Sequence, residues 1–211
     1  MTTQRTKKNL YSGLLYSSLI ATSLLLQACV SPQQASVTKK IANSWALRGK
    51  IGMLYPEANC TGNDCRLRSD QGGIQWQQEK QHYTIVLNDP FGREVLQLTG
   101  DNQQVQATAP GKSAVAAAPD GFARLLTKQK TQQNLLAGLT PKDLTYWVTG
   151  RPNPDYAAKK SAHHFEQKGF TISASQWRRT PVGNLPSLVA LSKGQVKLRI
   201  VIKEWSKIAQ H

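Results

Sequence analysis

Residues 45–55 read WALRGKIGMLY, and their alternation decides the fold class. Trp45, Leu47, Ile51, Met53 and Tyr55 fall on one parity while Arg48 and Lys50 fall on the other, as a strand with one buried face requires. Gly49 and Gly52 are expected to loosen or bend that strand. The same period recurs downstream, where Ile74 and Trp76 alternate with Gln75 and Gln77, and Tyr83, Ile85 and Leu87 alternate with His82 and Thr84. Residues 94–99, with Leu96 and Leu98, and residues 103–107 continue the series around the turn signal Gly100-Asp101-Asn102. Strands are expected again at 162–167, 170–176, 187–192 and 196–203, the last placing Val196, Leu198, Ile200 and Ile202 against Lys197, Arg199 and Lys203.

The period changes in the middle of the chain. Phe122, Leu125 and Leu126 lie at i, i+3 and i+4 behind Asp120, and Leu144, Trp147 and Val148 repeat the spacing, so two short amphipathic helices are expected. The second is well punctuated: Thr140 suits an N-cap, Pro141 the first helical position and Asp143 the answering N3 position, while Gly150 and Pro152 stop it. An antiparallel sheet of this extent has an apolar face to bury, with only two short helices to cover it. The expected fold is therefore mainly β, a curved and partly closed barrel with helices over its concave face. Its inner residues either line a cavity or fill a dry core, and on pattern alone the dry core is the commoner outcome.

Upstream of the sheet, Arg5, Lys7 and Lys8 precede an apolar run from Leu10 to Leu26 that is broken by serines and ends in Leu26-Gln27-Ala28-Cys29. A basic start, a short apolar stretch and a small residue before the cleavage point fit an exported leader, residues 1–28, better than a permanent span. The end of the run resembles a lipobox, although Gln27 is less usual there than a small residue. That resemblance implies diacylation of Cys29, removal of the leader and acylation of the new amino terminus. An ordinary leader with a chance cysteine is the alternative. Val30, where enterobacterial sorting signals for inner-membrane retention have Asp, implies a lipid-anchored protein on the periplasmic face of the outer membrane. Residues 29–43 then read as a polar tether and 44–211 as a single domain.

Loss of Arg5, Lys7 and Lys8 with the leader lowers the formal charge from +15 to +12. Nucleic acid is excluded by compartment, which leaves lipid headgroups, lipopolysaccharide phosphates or an acidic protein as anionic neighbours. The charge is scattered, in local pairs such as Lys39-Lys40, Lys159-Lys160 and Arg178-Arg179, so a merely solvated surface is equally compatible. Cys60 and Cys65 flank the turn-rich 61–64 segment, and export to an oxidising space points to a disulfide between them. A metal would need two further ligands, and none is near in sequence.

The segments WALRGKIG (45–52), IQW (74–76), NDPFG (88–92), LTYWVTGRP (144–152), FEQKGF (165–170) and LP (185–186), in that order and with the lipobox, resemble the LolB family of outer-membrane lipoprotein receptors. The resemblance spans nearly the whole chain after the leader. Departures are the Cys60 and Cys65 insertion and Phe170 where Trp is commoner. The resemblance implies an unclosed β-barrel, a half-barrel with helices on its concave face, that acts as a monomer without a dissociable cofactor. It would take acylated cargo lipoproteins from a soluble LolA-like periplasmic carrier and place them in outer-membrane lipid. The acyl-chain cavity is then expected from Trp45, Leu47, Ile51, Met53, Ile74, Trp76, Tyr83, Ile85, Leu87, Leu96, Leu98, Trp147, Leu198 and Ile200.

Asp89, Pro90 and Gly92 have the residues of a type I turn at i, i+1 and i+3, which puts Phe91 at the tip unless it folds back on the sheet. In the LolB family an apolar residue on this loop is implicated in membrane delivery, and Phe91, flanked by Pro90 and Gly92, occupies the matching position. The other class of function open to a basic outer-membrane lipoprotein is a structural one, docking peptidoglycan or lipopolysaccharide. Enzyme motifs fail: Gly111-Lys112-Ser113 ends like a P-loop, but residue 106 is Gln where glycine is required. His163 and His164 would point to opposite faces of a strand and cannot grip one metal together.

Overall fold

The computed structural model describes residues 44–57, 65–126, 133–134 and 136–208. The expected leader, Cys29, the tether and Cys60 lie outside the described residues; Cys65 is disulfide-bonded. The alternating run becomes β1 (Ser44–Pro56), and β2 (Leu67–Glu79), β3 (His82–Asn88), β4 (Glu94–Gly100), β5 (Val105–Thr108) and β6 (Val115–Ala117) follow as a meander. A second meander holds β7 (Lys159–Lys160), β8 (His164–Gln167), β9 (Phe170–Thr180), β10 (Gly183–Lys193) and β11 (Val196–Ser206). The last strand pairs antiparallel with β1, so the two meanders join into one sheet of eleven strands, ordered β6-β5-β4-β3-β2-β1-β11-β10-β9-β8-β7. The sheet is not closed into a barrel: β6 and β7 are its edges. The β7 edge consists of two exposed lysines, whose charge discourages pairing with another chain.

Several strands differ from the sequence expectation for local reasons. Residues 67–73, LRSDQGG, carry no apolar alternation, yet they extend β2 because they pair with the second half of β1. Gln103 and Gln104 belong to the turn, donating their N–H groups to Asp101 Oδ1 at 2.7 and 3.0 Å, and β5 starts at Val105. The short edge strands β6 and β7 fall below what alternation reveals. β9 and β10 run on to a turn at Thr180–Gly183, through polar residues that only pairing commits to the sheet.

The segment between the meanders carries a 3-10 turn (Pro119–Gly121), α1 (Phe122–Leu126) and α2 (Pro141–Trp147). α2 opens with the expected capping box: Asp143 N–H donates to Thr140 Oγ1, and Thr140 N–H donates to the Asp143 carboxylate at 3.0 Å. Gly150 turns the chain away at φ +76°, and a Cβ there would stand 2.5 Å from the Trp177 ring, so the position favours glycine. Asp143 is fully buried and also accepts from Thr140 Oγ1, Asn153 Nδ2 (2.8 Å) and Lys168 Nζ (2.6 Å). Buried Gln167 receives Trp147 Nε1 at 2.7 Å and Asn153 N–H at 2.9 Å, and donates to the carbonyls of Asn153 and Tyr156. These bonds satisfy the polar groups that carry α2 and its exit loop into the interior.

The apolar face of the sheet is packed tightly at one end. Trp45 meets Trp76 at 5.3 Å and Trp205 at 5.2 Å between ring centroids, the second pair edge to face. Trp205 Nε1 donates to the Pro186 carbonyl and Trp76 Nε1 to Gln78, which also accepts from Thr145 on α2. At this end the volume is filled by indoles. Towards the other end of β1 the inward side chains shrink to Ile51 and Met53, both only partly buried.

Candidate functional site

A cavity of about 600 Å³ opens where the indole packing stops, between the concave face of the sheet and the helical segment. Nine of the residues expected to form an apolar cavity line it: Ile51 and Met53 on β1, Ile74 and Trp76 on β2, Ile85 and Leu87 on β3, Leu98 on β4, and Leu198 and Ile200 on β11. Register explains the grouping, since Ile51 pairs with Ile200, Met53 with Leu198, Trp76 with Ile85, and Ile85 with Leu98. Cross-strand partners share a face, so an inward residue on one strand brings its partners with it.

Five expected residues do not line the cavity. Trp45, Leu47 and Tyr83 are buried at the packed end of the sheet. Burial pushes the Tyr83 hydroxyl pKa upward, and its oxygen has no hydrogen-bond partner among the described residues. Trp147 turns from the cavity to pack on Phe170 at 5.3 Å. Leu96 yields its place to Val95: pairing steps from Leu87–Leu96 to Asn88–Glu94, leaving Val95 as the extra residue of a bulge at the mouth. Phe122 on α1, Leu144 on α2, and Leu136 and Leu139 between the two helices form the roof, beyond the residues expected there. Their helical spacing was visible for Phe122 and Leu144, but spacing shows an apolar stripe without showing what it faces.

The mouth is polar on one side, with Ser69, Asp70 and Gln71 from β2 and the Tyr55 hydroxyl donating to Asp70 Oδ2 at 2.7 Å. On the other side stands the loop between β3 and β4, whose Asn88, Asp89 and Pro90 line the cavity. Its base needs a close approach: a Cβ at Gly72 would lie 2.0 Å from the Asn88 carbonyl oxygen, so only glycine lets β2 pass there. The loop is the turn its residues specify. Gly92, at φ +87°, donates its N–H to the Asp89 carbonyl at 3.0 Å, and Asp89 Oδ1 accepts the N–H groups of Phe91 (2.9 Å) and Arg93 (3.0 Å). Burial raises the Asp89 pKa, but the Arg93 guanidinium at 2.6 Å and the two amide donors outweigh it and hold the carboxyl below its ordinary value. Phe91 does not fold back: it is 85% exposed, with the Arg93 guanidinium 5.7 Å from its ring centroid.

The LolB family model, "Outer membrane lipoprotein LolB", matches residues 43–205. The chain belongs to the LolB family. The outer-membrane lipoprotein LolB of Chromohalobacter salexigens is 25% identical over 174 residues, covering 79% of this chain and 72% of that protein. That of Pseudomonas fluorescens is 26% identical over 170 residues, covering 77% and 74%, and that of a Marinomonas species 24% over 204 residues, covering 89% and 95%. A crystal structure of a LolA superfamily protein from Nitrosomonas europaea aligns at TM-score 0.47 and 10% identity, over 80% of this chain and 88% of that one. This LolB-family chain is an outer-membrane lipoprotein of the lipoprotein-localisation pathway, lipid-anchored in a Gram-negative bacterium. Among the described residues no helix is long and apolar enough to cross a membrane, and no group of three or more His, Cys, Asp or Glu side chains is placed to hold a metal ion.

Proposed function

We propose that this chain receives acylated lipoproteins from a soluble LolA-type periplasmic carrier, shelters their acyl chains in the cavity, and releases them into the outer membrane beside the Phe91 loop. It acts as a monomer, held at the membrane by the lipid on Cys29. The observation that carries this reading is an apolar cavity of about 600 Å³ whose rim is continuous with a loop presenting an aromatic ring to solvent. A 16-carbon chain exposed to water costs on the order of 12 kcal/mol at about 0.8 kcal/mol per methylene, so cargo moves only from one apolar shelter to the next. The cavity supplies such a shelter with residues that remain partly accessible, Ile51, Met53, Leu87 and Leu198 among them. Transfer then runs downhill, from carrier to cavity to bilayer.

Native mass spectrometry of the non-lipidated chain mixed with a cargo-loaded carrier tests the proposal. A one-to-one adduct of chain and acylated cargo is expected, and it is weakened by Leu198→Trp or Met53→Trp, which fill the cavity from its accessible side. Absence of any adduct with the parent chain, or an adduct indifferent to both fillers, refutes the cavity as the acyl site and favours a structural role in the envelope.

A further inference from the structure

The outer, convex face of the same sheet carries a second concavity, a groove of about 610 Å³. It starts at the base of the Phe91 loop, at Asn88, Asp89, Pro90 and Gly92, and crosses β2, β1 and β11. Four cations line it: Arg48 and Lys50 on β1, Arg199 and Lys203 on β11. All four are exposed, and none makes an ion pair with a described residue. The one carboxylate among the described lining residues, Asp89, is already taken by Arg93 at 2.6 Å. Glu204, the register partner of Arg48, is exposed and likewise unpaired among the described residues.

Register explains why the charge collects around a hollow. Lys50 stands opposite Gly73 on β2, and Arg199 stands opposite Gly52 on β1, so long basic side chains surround two positions without any. Packing does not demand glycine at either place, because a Cβ at Gly52 would meet nothing closer than 3.8 Å and at Gly73 nothing closer than 3.4 Å. The hollow is thus a feature of the outer surface. Four cations around it, unpaired among the described residues, create a local positive potential that an anion of matching size relieves.

We propose that this groove docks anionic phospholipid headgroups, so that phosphates settle among Arg48, Lys50, Arg199 and Lys203 while Phe91 enters the acyl layer. The inference rests on the delivery reading for the bilayer as the surface the Phe91 loop faces. The loop belongs to the rims of both concavities. A carrier docked over the cavity mouth faces the concave side and leaves the groove uncovered, whereas a bilayer met at the loop reaches the groove as well. Chain length permits this pose. Fourteen residues separate Cys29 from Ser44, up to about 50 Å when extended, and β1 from Ser44 to Lys50 measures only about 20 Å.

The test uses the non-lipidated chain from Lys39, the start of the compact unit Lys39–His211 that contains the whole described core. Its sedimentation is measured with vesicles of phosphatidylcholine, and with vesicles in which about one third of the lipid is phosphatidylglycerol. Preference for the anionic vesicles, falling with salt, is expected. Each groove cation removed lowers partition roughly fivefold, so K50Q/R199Q loses about 25-fold. The control pair Lys112→Gln and Lys159→Gln, equal in charge but placed near the two sheet edges, loses less than about twofold. Circular dichroism of the variants establishes that the fold is kept. Equal losses for the two pairs, or none for the groove pair, overturn the proposal. So does a groove pair that keeps vesicle binding but loses co-sedimentation with the carrier, which would assign the groove to an acidic protein. No cargo takes part in the vesicle measurement, so its failure leaves acyl transfer through the cavity untouched.

Discussion

Phe91→Glu separates the loop's role in delivery from its role in the fold. Because the ring is 85% exposed, its packing contributes little, and the contact with Arg93 at 5.7 Å is the main interaction lost. An exposed cation–π contact is worth about 0.5–1 kcal/mol, so for a domain of this size Tm falls by no more than about 2–4 °C. The turn persists, since it is held by Asp89, Gly92 and Arg93 rather than by the ring. In the bilayer the balance differs: burial of a phenylalanine yields about 1.5–3 kcal/mol, and a carboxylate must in addition be desolvated. Losing the apolar term alone slows or weakens membrane entry roughly 10- to 150-fold. The assay follows labelled cargo from loaded carrier to floated vesicles, with native mass spectrometry of the intermediate alongside. Phe91→Glu is expected to accumulate the adduct and lose vesicle transfer, while Phe91→Leu keeps most of it. If Phe91→Glu passes cargo to vesicles within about twofold of the parent rate, the exposed ring is not the entry device.

Asp143→Asn removes the counter-charge of the partly buried Lys168 and weakens the cap of α2, so calorimetry should show a loss of about 1.5–3 kcal/mol and a Tm lower by about 5 °C. A loss under about 1 kcal/mol would show that the pair is not what anchors the roof. The Asp89 carboxyl sits below its ordinary 3.8 in the folded protein, so the loop order it provides is complete above that value and disappears as pH falls through the depressed folded pKa. Amide-exchange protection of Phe91 and Arg93, taken relative to the intrinsic rate at each pH, should therefore fall only in strong acid in the parent and be lower at every pH in Asp89→Asn; loss of protection in the parent loop near neutrality contradicts the assignment. Gly150→Ala forces a left-handed conformation costing about 1–2 kcal/mol and drives a methyl into the Trp177 ring, so indole fluorescence and Tm should both shift. An unchanged spectrum with unchanged Tm would mean that the exit of α2 relaxes freely.

How far the chain discloses itself depends on which forces act locally. Alternation in 45–55 and 196–203 placed β1 and β11 and their inward residues, because a two-residue period with one wet face needs no information beyond the neighbours. The Thr140 cap and the Asp89-Pro90-Phe91-Gly92 turn were equally legible, since their hydrogen bonds close within four residues. The strand nature of 67–73 was not, because those polar residues and glycines are held by pairing with β1 rather than by any preference of their own. Cavity and core could not be told apart either. Trp45 and Ile51 share a parity, yet one is packed between two indoles and the other faces open space, a distinction set by how far the tryptophans reach and where the helical roof comes down. The sequence by itself determined which residues of β1 and β11 turn inward, how α2 and the Phe91 loop are closed by their own hydrogen bonds, and the family. Only the tertiary structure decided where the inward face stays empty and which scattered cations meet at one groove, because volume and charge accumulate across strands whose sequence separation carries no trace of their adjacency.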